Sequence, residues 1–201
     1  MKVSLLDYGA GNLFSLECAL RRLGAETERI ATLEALRQAA VLAVPGVGHI
    51  GALVRALEAA GTRETLCGRI AEGIPVLGIC LGMQIFFEGS DEAPEMHGLG
   101  IFPGRVKELP PTVKRPHMGW NQVTPRASSR LLRGISERDC FYFAHSFAPG
   151  AEAEGNAGVC THGMAFAAAV ERRNIFGVQF HPEKSGATGE RVLRNFLEAA
   201  Q

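Results

Sequence analysis

The first half of the chain alternates short apolar runs with helical patterns, and this alternation restricts the possible fold more than any other feature. Runs typical of buried strands occupy 3–6, 41–44 and 75–79. Segments with helical spacing of apolar residues occupy 14–23, 49–60 and 62–72, the last with Thr62 as its expected cap. Strands that alternate with helices form a largely parallel sheet through right-handed crossovers.

The second half of the chain has a different pattern. Strand-like runs separated by turn residues occupy 101–109, 141–147, 163–170 and 175–180, which predicts an antiparallel extension of the sheet. A last amphipathic helix is predicted over 188–200. We therefore expect a single α/β domain over residues 1–201, with a mixed central sheet and helices on both faces.

Composition excludes several classes of partner and site. Lys+Arg and Asp+Glu both total 21, so there is no electrostatic reason to expect nucleic acid or an anionic membrane as the main partner. No secretory signal and no apolar run of about 20 residues is visible, and we expect a cytoplasmic protein. The five cysteines include no CxxC pair, so we expect no disulfide framework, no metal and no cofactor.

One cysteine lies in a setting typical of a nucleophile. The strand-like run 75–79 continues into Gly78-Ile79-Cys80-Leu81-Gly82, the G-x-(nucleophile)-x-G form of a strained strand-to-helix elbow. A helix over 81–88 would point its positive end at Cys80 and stabilise the thiolate, and the Leu81 amide would donate to an oxyanion. The alternative is a small buried packing residue, which is our interpretation of Cys18, Cys67, Cys140 and Cys160.

A cysteine nucleophile needs a base, and the base needs a group that orients it. His181 follows the strand-like run 175–180, and Glu183 comes two residues later. Side chains at i and i+2 of an extended chain point the same way, so Glu183 can hold one imidazole nitrogen while the other faces Cys80. The alternative is a surface turn with an unrelated His and Glu.

A glycine-rich segment at 46–51 fits G-x-G-x-x-G, but we do not interpret it as a dinucleotide site. It does not follow the first strand of the chain, and Pro45 interrupts the transition from strand to loop. No acidic residue ends a convincing second strand about 20 residues later. Gly46 and Gly48 instead allow the peptides around Val47 to rotate and offer an amide to an oxyanion hole beside Cys80. An ordinary glycine turn is the alternative.

The segments GICLGMQ (78–84) and FHPE (180–183) resemble those of the class I (triad) glutamine amidotransferases. The resemblance implies their flavodoxin-like fold and a glutaminase reaction through a cysteine thioester. It also implies roles for individual residues: Cys80 as nucleophile, His181 as base and acid, Glu183 as its orienter, and Gln84 and Glu88 as groups that hold the substrate, L-glutamine.

Four further segments, 7–12, 45–48, 117–121 and 142–147, resemble those of the glutaminase subunits of imidazole glycerol phosphate synthase. That family implies a heterodimer with a (β/α)8 synthase subunit, which receives ammonia through a channel for histidine biosynthesis. It also implies low glutaminase activity until the synthase carries its ligand. Our hypothesis for the switch is a peptide rotation at 46–48 that completes the oxyanion hole. Asn12, Trp120 and Tyr142 are candidates for the docking face, although Trp120 fits core packing equally well.

Three other interpretations compete with this one. A glutaminase subunit that serves pyridoxal phosphate synthesis has the same chemistry, but segments 7–12 and 117–121 argue against it. A DJ-1/PfpI-like cysteine hydrolase usually has its base close after the cysteine, whereas residue 81 is Leu. A non-catalytic binding module would not need Cys80, His181 and Glu183 together.

Overall fold

The computed structural model describes all residues from Met1 to Gln201. The strands are β1 Lys2–Leu6, β2 Glu26–Ile30, β3 Leu42–Gly46, β4 Val76–Cys80, β5 Phe87–Ser90, β6 Ala93–His97, β7 Phe102–Glu108, β8 His117–Gln122, β9 Thr124–Pro125, β10 Cys140–His145, β11 Phe147–Pro149, β12 Asn156–His162, β13 Met164–Arg172 and β14 Ile175–Val178. The helices are α1 Leu13–Arg22, α2 Leu33–Gln38, α3 Ile50–Ala59, α4 Thr62–Ala71, α5 Leu81–Gln84 and α6 Gly186–Ala199, with a 3-10 turn at Pro182–Lys184. None of these helices combines the length and the apolarity that crossing a bilayer requires.

An eight-stranded mixed sheet forms the centre of the fold, in the order β2-β1-β3-β4-β14-β13-β12-β9. Its first five strands pair in parallel, and β13, β12 and β9 continue it with antiparallel pairing. The three strands and three helices predicted over 3–79 are confirmed to within two residues at each end, and the mixed sheet is confirmed as well. Because β3, β4 and β14 are parallel neighbours, their carboxyl ends lie side by side, and the candidate site forms there.

Each face of the central sheet carries its own apolar core. On one face, Leu16 of α1 and Phe196 of α6 pack with Leu77 and Ile79 of β4. On the other face, Leu53 of α3 and Leu66 of α4 belong to the core that contains Val76 of β4. Side chains along β4 alternate between the two cores because successive strand residues point to opposite faces. The prediction of helices on both faces is therefore confirmed.

The expectation that the second half would only extend the central sheet is incomplete. Six strands form two further sheets, of four strands in the order β11-β7-β5-β6 and of two strands in the order β10-β8. The predicted helix over 81–88 is wrong for the same reason. It ends at Gln84, because Phe87–Ser90 pairs with β7 and β6 instead. Whether such a short segment becomes a strand depends on its packing against the neighbouring strands, which its own sequence does not reveal.

Two smaller local predictions also need correction. Gly61, not Thr62, precedes α4 as its cap, and the Thr62 hydroxyl donates to the Leu57 carbonyl. Pro45 does not end β3, which continues to Gly46. The Leu42 N–H donates toward the β4 side, so the nitrogen of Pro45 points toward β1. The pairing of β3 with β1 ends at Ala43, and the missing N–H of Pro45 therefore breaks no ladder bond.

The sequence analysis did not predict β2 and α2. β2 has the sequence ETERI and α2 is only six residues long. β2 is an edge strand with one buried residue, so it lacks the apolar run by which the inner strands were recognised.

The glycines on either side of Cys80 allow close backbone contacts that a side chain would prevent. A Cβ atom added to Gly82 would lie 1.7 Å from the Val44 carbonyl oxygen, and one added to Gly78 would lie 2.4 Å from the Gly82 oxygen. Both neighbours are backbone atoms of packed elements, so neither can move aside without shifting β3 or α5. The elbow therefore depends on glycine at both positions, as the sequence predicted.

We expect Gly82→Ala to lower the free energy of unfolding by more than about 4 kcal/mol, or to prevent folding, because the new methyl group overlaps backbone. Gly68→Ala is the matched control. Gly68 lies within α4 with no atom near its added Cβ, so this change should raise the free energy by about 0.5–1 kcal/mol. Urea unfolding measures both, and equal stability of Gly82→Ala and the native chain would contradict the packing argument.

Candidate active site

Cys80 ends β4 in a strained conformation. Its φ is 55° and its ψ is −109°, and Arg173 is the only other non-glycine residue with a positive φ. Such a conformation costs of order 1–3 kcal/mol and persists only where the surroundings impose it. The side chain is 4% exposed and borders a cavity of about 240 Å³. The helix after it has only four residues, so its dipole is weaker than the predicted eight-residue helix would supply.

His181 borders the same cavity, and Glu183 contacts this histidine from behind the lining. His181 follows β14 and is positioned by its backbone N–H, which donates to the Tyr142 carbonyl at 2.9 Å. Its Nδ1 lies 2.9 Å from Glu183 Oε1, and both side chains are almost fully buried. Glu183 belongs to the 3-10 turn and not to an extended segment. The predicted pairing with His181 is present, but the argument from positions i and i+2 of an extended chain is wrong. Since Nδ1 donates to a carboxylate, Nε2 remains free to face Cys80.

The surroundings of His181 favour its charged form. Burial by itself lowers the pKa of His181, but the interactions with the Cys80 sulfur and with the Glu183 carboxylate outweigh it and raise the pKa to about 9. An imidazolium at neutral pH favours a thiolate beside it. Cys80 and His181 both border the cavity. The structure therefore brings together the three residues that the sequence singled out.

The glycine segment 46–48 divides into two parts with different roles in the structure. Gly46 belongs to β3 and pairs with Cys80, and a Cβ there would lie 2.5 Å from the Cβ of Leu81. It is therefore a close-packing position and not part of a rotating loop. Val47 and Gly48 border the cavity, and Gly48 has a φ of 94° with open space around it. Peptide rotation is thus possible at Val47 and Gly48, while Gly46 is fixed.

Leu81 lies where its amide can serve an oxyanion. It borders the cavity as the first residue of α5, and first-turn N–H groups have no partner within the helix. The Gly48 amide makes no hydrogen bond to the protein. Two N–H groups from different elements at this cavity therefore have no hydrogen-bond partner in the protein.

Of the two expected substrate contacts, only Gln84 reaches the cavity. Gln84 is buried and borders it, and its Oε1 has no hydrogen-bond partner. Glu88 is exposed on β5, and its Oε2 accepts from the Gly104 N–H at 2.9 Å. The expectation for Glu88, which came from the resemblance, is wrong because α5 ends at Gln84 and Glu88 lies on β5 outside the cavity lining. Glu92, which the sequence analysis did not select, borders the cavity instead.

Of the three residues proposed for docking, Trp120 and Tyr142 pack together, and Asn12 lies beside Glu183. Trp120 is 58% exposed, so core packing is not its role. Its ring meets Tyr142 edge-on across the β8–β10 pair, with centroids 6.1 Å apart. Asn12 is half-buried and donates to Glu183 Oε1 at 3.3 Å. Met118, two residues before Trp120, is also exposed; the alternation of β8 would have revealed it.

Two histidines that the sequence analysis left without a role lie buried beside the cavity. His145 Nε2 is 3.0 Å from His117 Nδ1, and the other nitrogen of His145 donates to the Phe147 carbonyl at 2.9 Å. Burial lowers the pKa of His145 to about 3 and that of His117 to about 4, with a smaller contribution from neighbouring histidines. This neutral pair contrasts with the charged His181. Segments 117–121 and 142–147 carried the only sequence signal for it.

Comparison with known protein families and with individual relatives identifies the family of this chain. The class-I glutamine amidotransferase family matches residues 4–200. A subunit HisH of imidazole glycerol phosphate synthase from Methanothermobacter thermautotrophicus is 45% identical over 98% of both chains. The subunit HisH of Moorella thermoacetica is 42% identical over 98% of this chain and 94% of its own.

Solved structures support the fold. A crystal structure of a glutamine amidotransferase superposes with a TM-score of 0.79 at 22% identity, and covers 98% of both chains. The structure of PurLQS from Thermotoga maritima gives a TM-score of 0.72 at 17% identity and covers 100% of this chain and 99% of that one. The chain belongs to the class-I glutamine amidotransferase family and, within it, to the family of HisH subunits of imidazole glycerol phosphate synthase.

Proposed function

We propose that this chain is the glutaminase subunit of imidazole glycerol phosphate synthase, which releases ammonia from L-glutamine for histidine biosynthesis. The observation that carries the proposal is the His181–Glu183 pair at 2.9 Å, at the cavity that the strained Cys80 borders. Membership in the HisH family supplies the substrate and the pathway. The family match over residues 4–200 argues against both the DJ-1/PfpI-like hydrolase and the non-catalytic binding module.

The geometry supports a two-stage reaction. The Cys80 thiolate attacks the side-chain carbonyl carbon of glutamine, and the oxyanion accepts from the amides of Leu81 and Gly48. His181 Nε2 then gives its proton to the departing nitrogen, and ammonia leaves a glutamyl thioester. Neutral His181 next takes a proton from water, the hydroxide attacks the thioester, and glutamate leaves with the thiolate restored. Glu183 holds the imidazole through Nδ1 in both stages.

The cavity contains groups suited to a zwitterionic amino acid. Lys184 and Glu92 both border it and carry opposite charges, so they offer partners for a carboxylate and an ammonium group. The buried Oε1 of Gln84 has no partner in the protein, and an acceptor in that state costs about 1–3 kcal/mol unless a ligand donates to it. We assign it to an N–H of the substrate. Glu92 thus takes the role expected of Glu88.

A docked acceptor completes the proposal, because free ammonia would be mostly protonated in neutral water. We propose that a (β/α)8 synthase subunit covers the face formed by Trp120, Met118, Tyr142 and Asn12. Exposed aromatic and methionine side chains are enriched at interfaces. Asn12 donates to Glu183 Oε1, so docking at this face is linked to the carboxylate that orients His181.

Cys80→Ala should abolish glutamine-dependent synthesis by the complex with its synthase subunit and leave ammonia-dependent synthesis intact. The alanine removes the nucleophile but leaves the docking face unchanged. Cys160→Ala is the matched control, because Cys160 is buried in β12 away from the cavity. Continued use of glutamine by Cys80→Ala would exclude Cys80 as the nucleophile.

The peptide between Val47 and Gly48 is the candidate switch for activation. We expect glutamine turnover by the isolated chain to be at least about tenfold slower than turnover by the complex carrying the synthase ligand, a range typical of allosteric coupling. A rotated peptide would complete the oxyanion hole only in the complex. Steady-state rates of the two preparations at the same glutamine concentration test this. Equal rates would refute the switch.

The protonation of His181 should also appear in stability. Its folded pKa of about 9 exceeds the ordinary value of about 6.5, so the folded chain holds the proton more tightly. This contribution is fully present below about pH 6.5 and is lost as the pH rises through about 9. We expect the free energy of unfolding of the native chain, minus that of His181→Asn, to fall by an amount on the order of 3 kcal/mol across that window. Urea unfolding at several pH values measures it, and a constant difference would contradict an imidazolium.

A further inference from the structure

A buried glutamine contacts the sulfur that the proposed reaction uses. Gln179 lies directly after β14, is fully buried, and its Nε2 is 3.5 Å from Cys80 Sγ. This N–H···S contact comes from a neutral donor and not from the imidazole. Its backbone N–H is held separately, by the Ala168 carbonyl at 2.8 Å. The side chain therefore approaches the sulfur from a fixed point on the central sheet.

The neighbouring groups determine which end of the Gln179 carboxamide faces the sulfur. Gln84 Nε2 lies 2.8 Å from the Phe147 carbonyl and 2.9 Å from Gln179 Oε1. The Phe147 oxygen can only accept, so the atom of Gln84 that faces it must be the nitrogen. That nitrogen donates its second hydrogen to Gln179, which must therefore present its oxygen to Gln84. The Gln179 nitrogen is then left for Cys80.

The Phe147 carbonyl is itself held from a second side. His145 Nδ1 lies 2.9 Å from the same oxygen, so that nitrogen must carry the hydrogen. His145 Nε2 is consequently an acceptor and receives the hydrogen of His117 Nδ1 at 3.0 Å. Each donor and acceptor in this series of hydrogen bonds has one possible assignment. The orientation of the Gln179 amide therefore does not depend on a choice of amide flip.

We propose that Gln179 is a further catalytic residue, whose carboxamide N–H stabilises the Cys80 thiolate, and that Gln84 keeps this amide in the required orientation. The inference rests on the proposed role of Cys80 as nucleophile. A hydrogen bond to an ionised acceptor is about twice as strong as one between neutral groups. The contact thus favours the thiolate before attack, and again when the sulfur leaves the glutamyl thioester. No covalent step is added to the reaction.

Gln179→Met tests the proposal, because methionine keeps the length of the side chain and removes the donor. The measurement is the rate of Cys80 alkylation by iodoacetamide against pH in the full chain, followed at the Cys80 peptide by mass spectrometry because four other cysteines are free. We expect the profile to move to higher pH by about one unit, which is about a tenfold loss of rate at pH values below the native midpoint, with the same plateau at high pH. A merely structural change would not move the midpoint while preserving the plateau.

Two further variants keep the test decisive. Val178→Ala weakens the packing of the same strand without touching the sulfur, and should leave the profile unchanged. Gln179→Leu removes the same donor, adds no charge and fills the site with a different apolar side chain, so its shift should match that of Gln179→Met. It decides the matter if the methionine variant does not fold. The titratable groups around the cavity and the sulfur are the same in every variant: Tyr8, Glu92, His145, His181, Glu183 and Lys184.

Glutamine turnover by the native complex is measured in parallel, so that the two proposals can fail separately. A native chain that hydrolyses glutamine, with folded Gln179 variants whose alkylation profile matches the native one, would overturn the role of Gln179 and leave the function standing. A shifted profile in a chain that does not hydrolyse glutamine would establish the sulfur contact and remove the proposed function.

Discussion

The strained backbone at Cys80 is the constraint on which the site depends. A non-glycine residue with a φ of 55° is unfavourable on its own, and it persists because β4 must turn within one residue into α5. That turn requires Gly82 to lie against the Val44 carbonyl and Gly78 to lie against the Gly82 carbonyl. The energy released by burying β4 in both apolar cores holds the strain in place. The result is a sulfur directed into a cavity from the end of a rigid strand.

The parallel register then brings the rest of the chemistry to that sulfur. Gly46 pairs with Cys80 on one side, and Val178 pairs with Ile79 on the other. The chain leaving β3 therefore supplies Val47 and Gly48, and the chain leaving β14 supplies Gln179 and His181. Residues far apart in the sequence meet because the carboxyl ends of neighbouring parallel strands share one edge of the sheet. No single loop has to reach across the molecule.

Two histidine environments lie a short distance apart, and their difference is electrostatic. His181 is buried with the Glu183 carboxylate and the Cys80 sulfur, which raise its pKa to about 9. His145 is buried without an acid beside it, and desolvation lowers its pKa to about 3. One imidazole is therefore available for proton transfer, while the other keeps a fixed tautomer and serves as a link in a hydrogen-bonded chain. Burial alone does not distinguish them; the neighbouring charge does.

The sequence by itself determined the parallel half of the sheet, the cysteine elbow and the pairing of His181 with Glu183, because each leaves a local pattern: apolar periodicity, two flanking glycines, and an acid two residues after a histidine. It did not determine where the helix after Cys80 ends, and the resemblance implied a substrate contact at Glu88, whereas Glu92 borders the cavity. It also did not identify Gln179 as a site residue or determine the orientation of its amide. Those features depend on strand pairing and on hydrogen bonds between residues distant in the chain, and only the tertiary structure sets which of those partners meet.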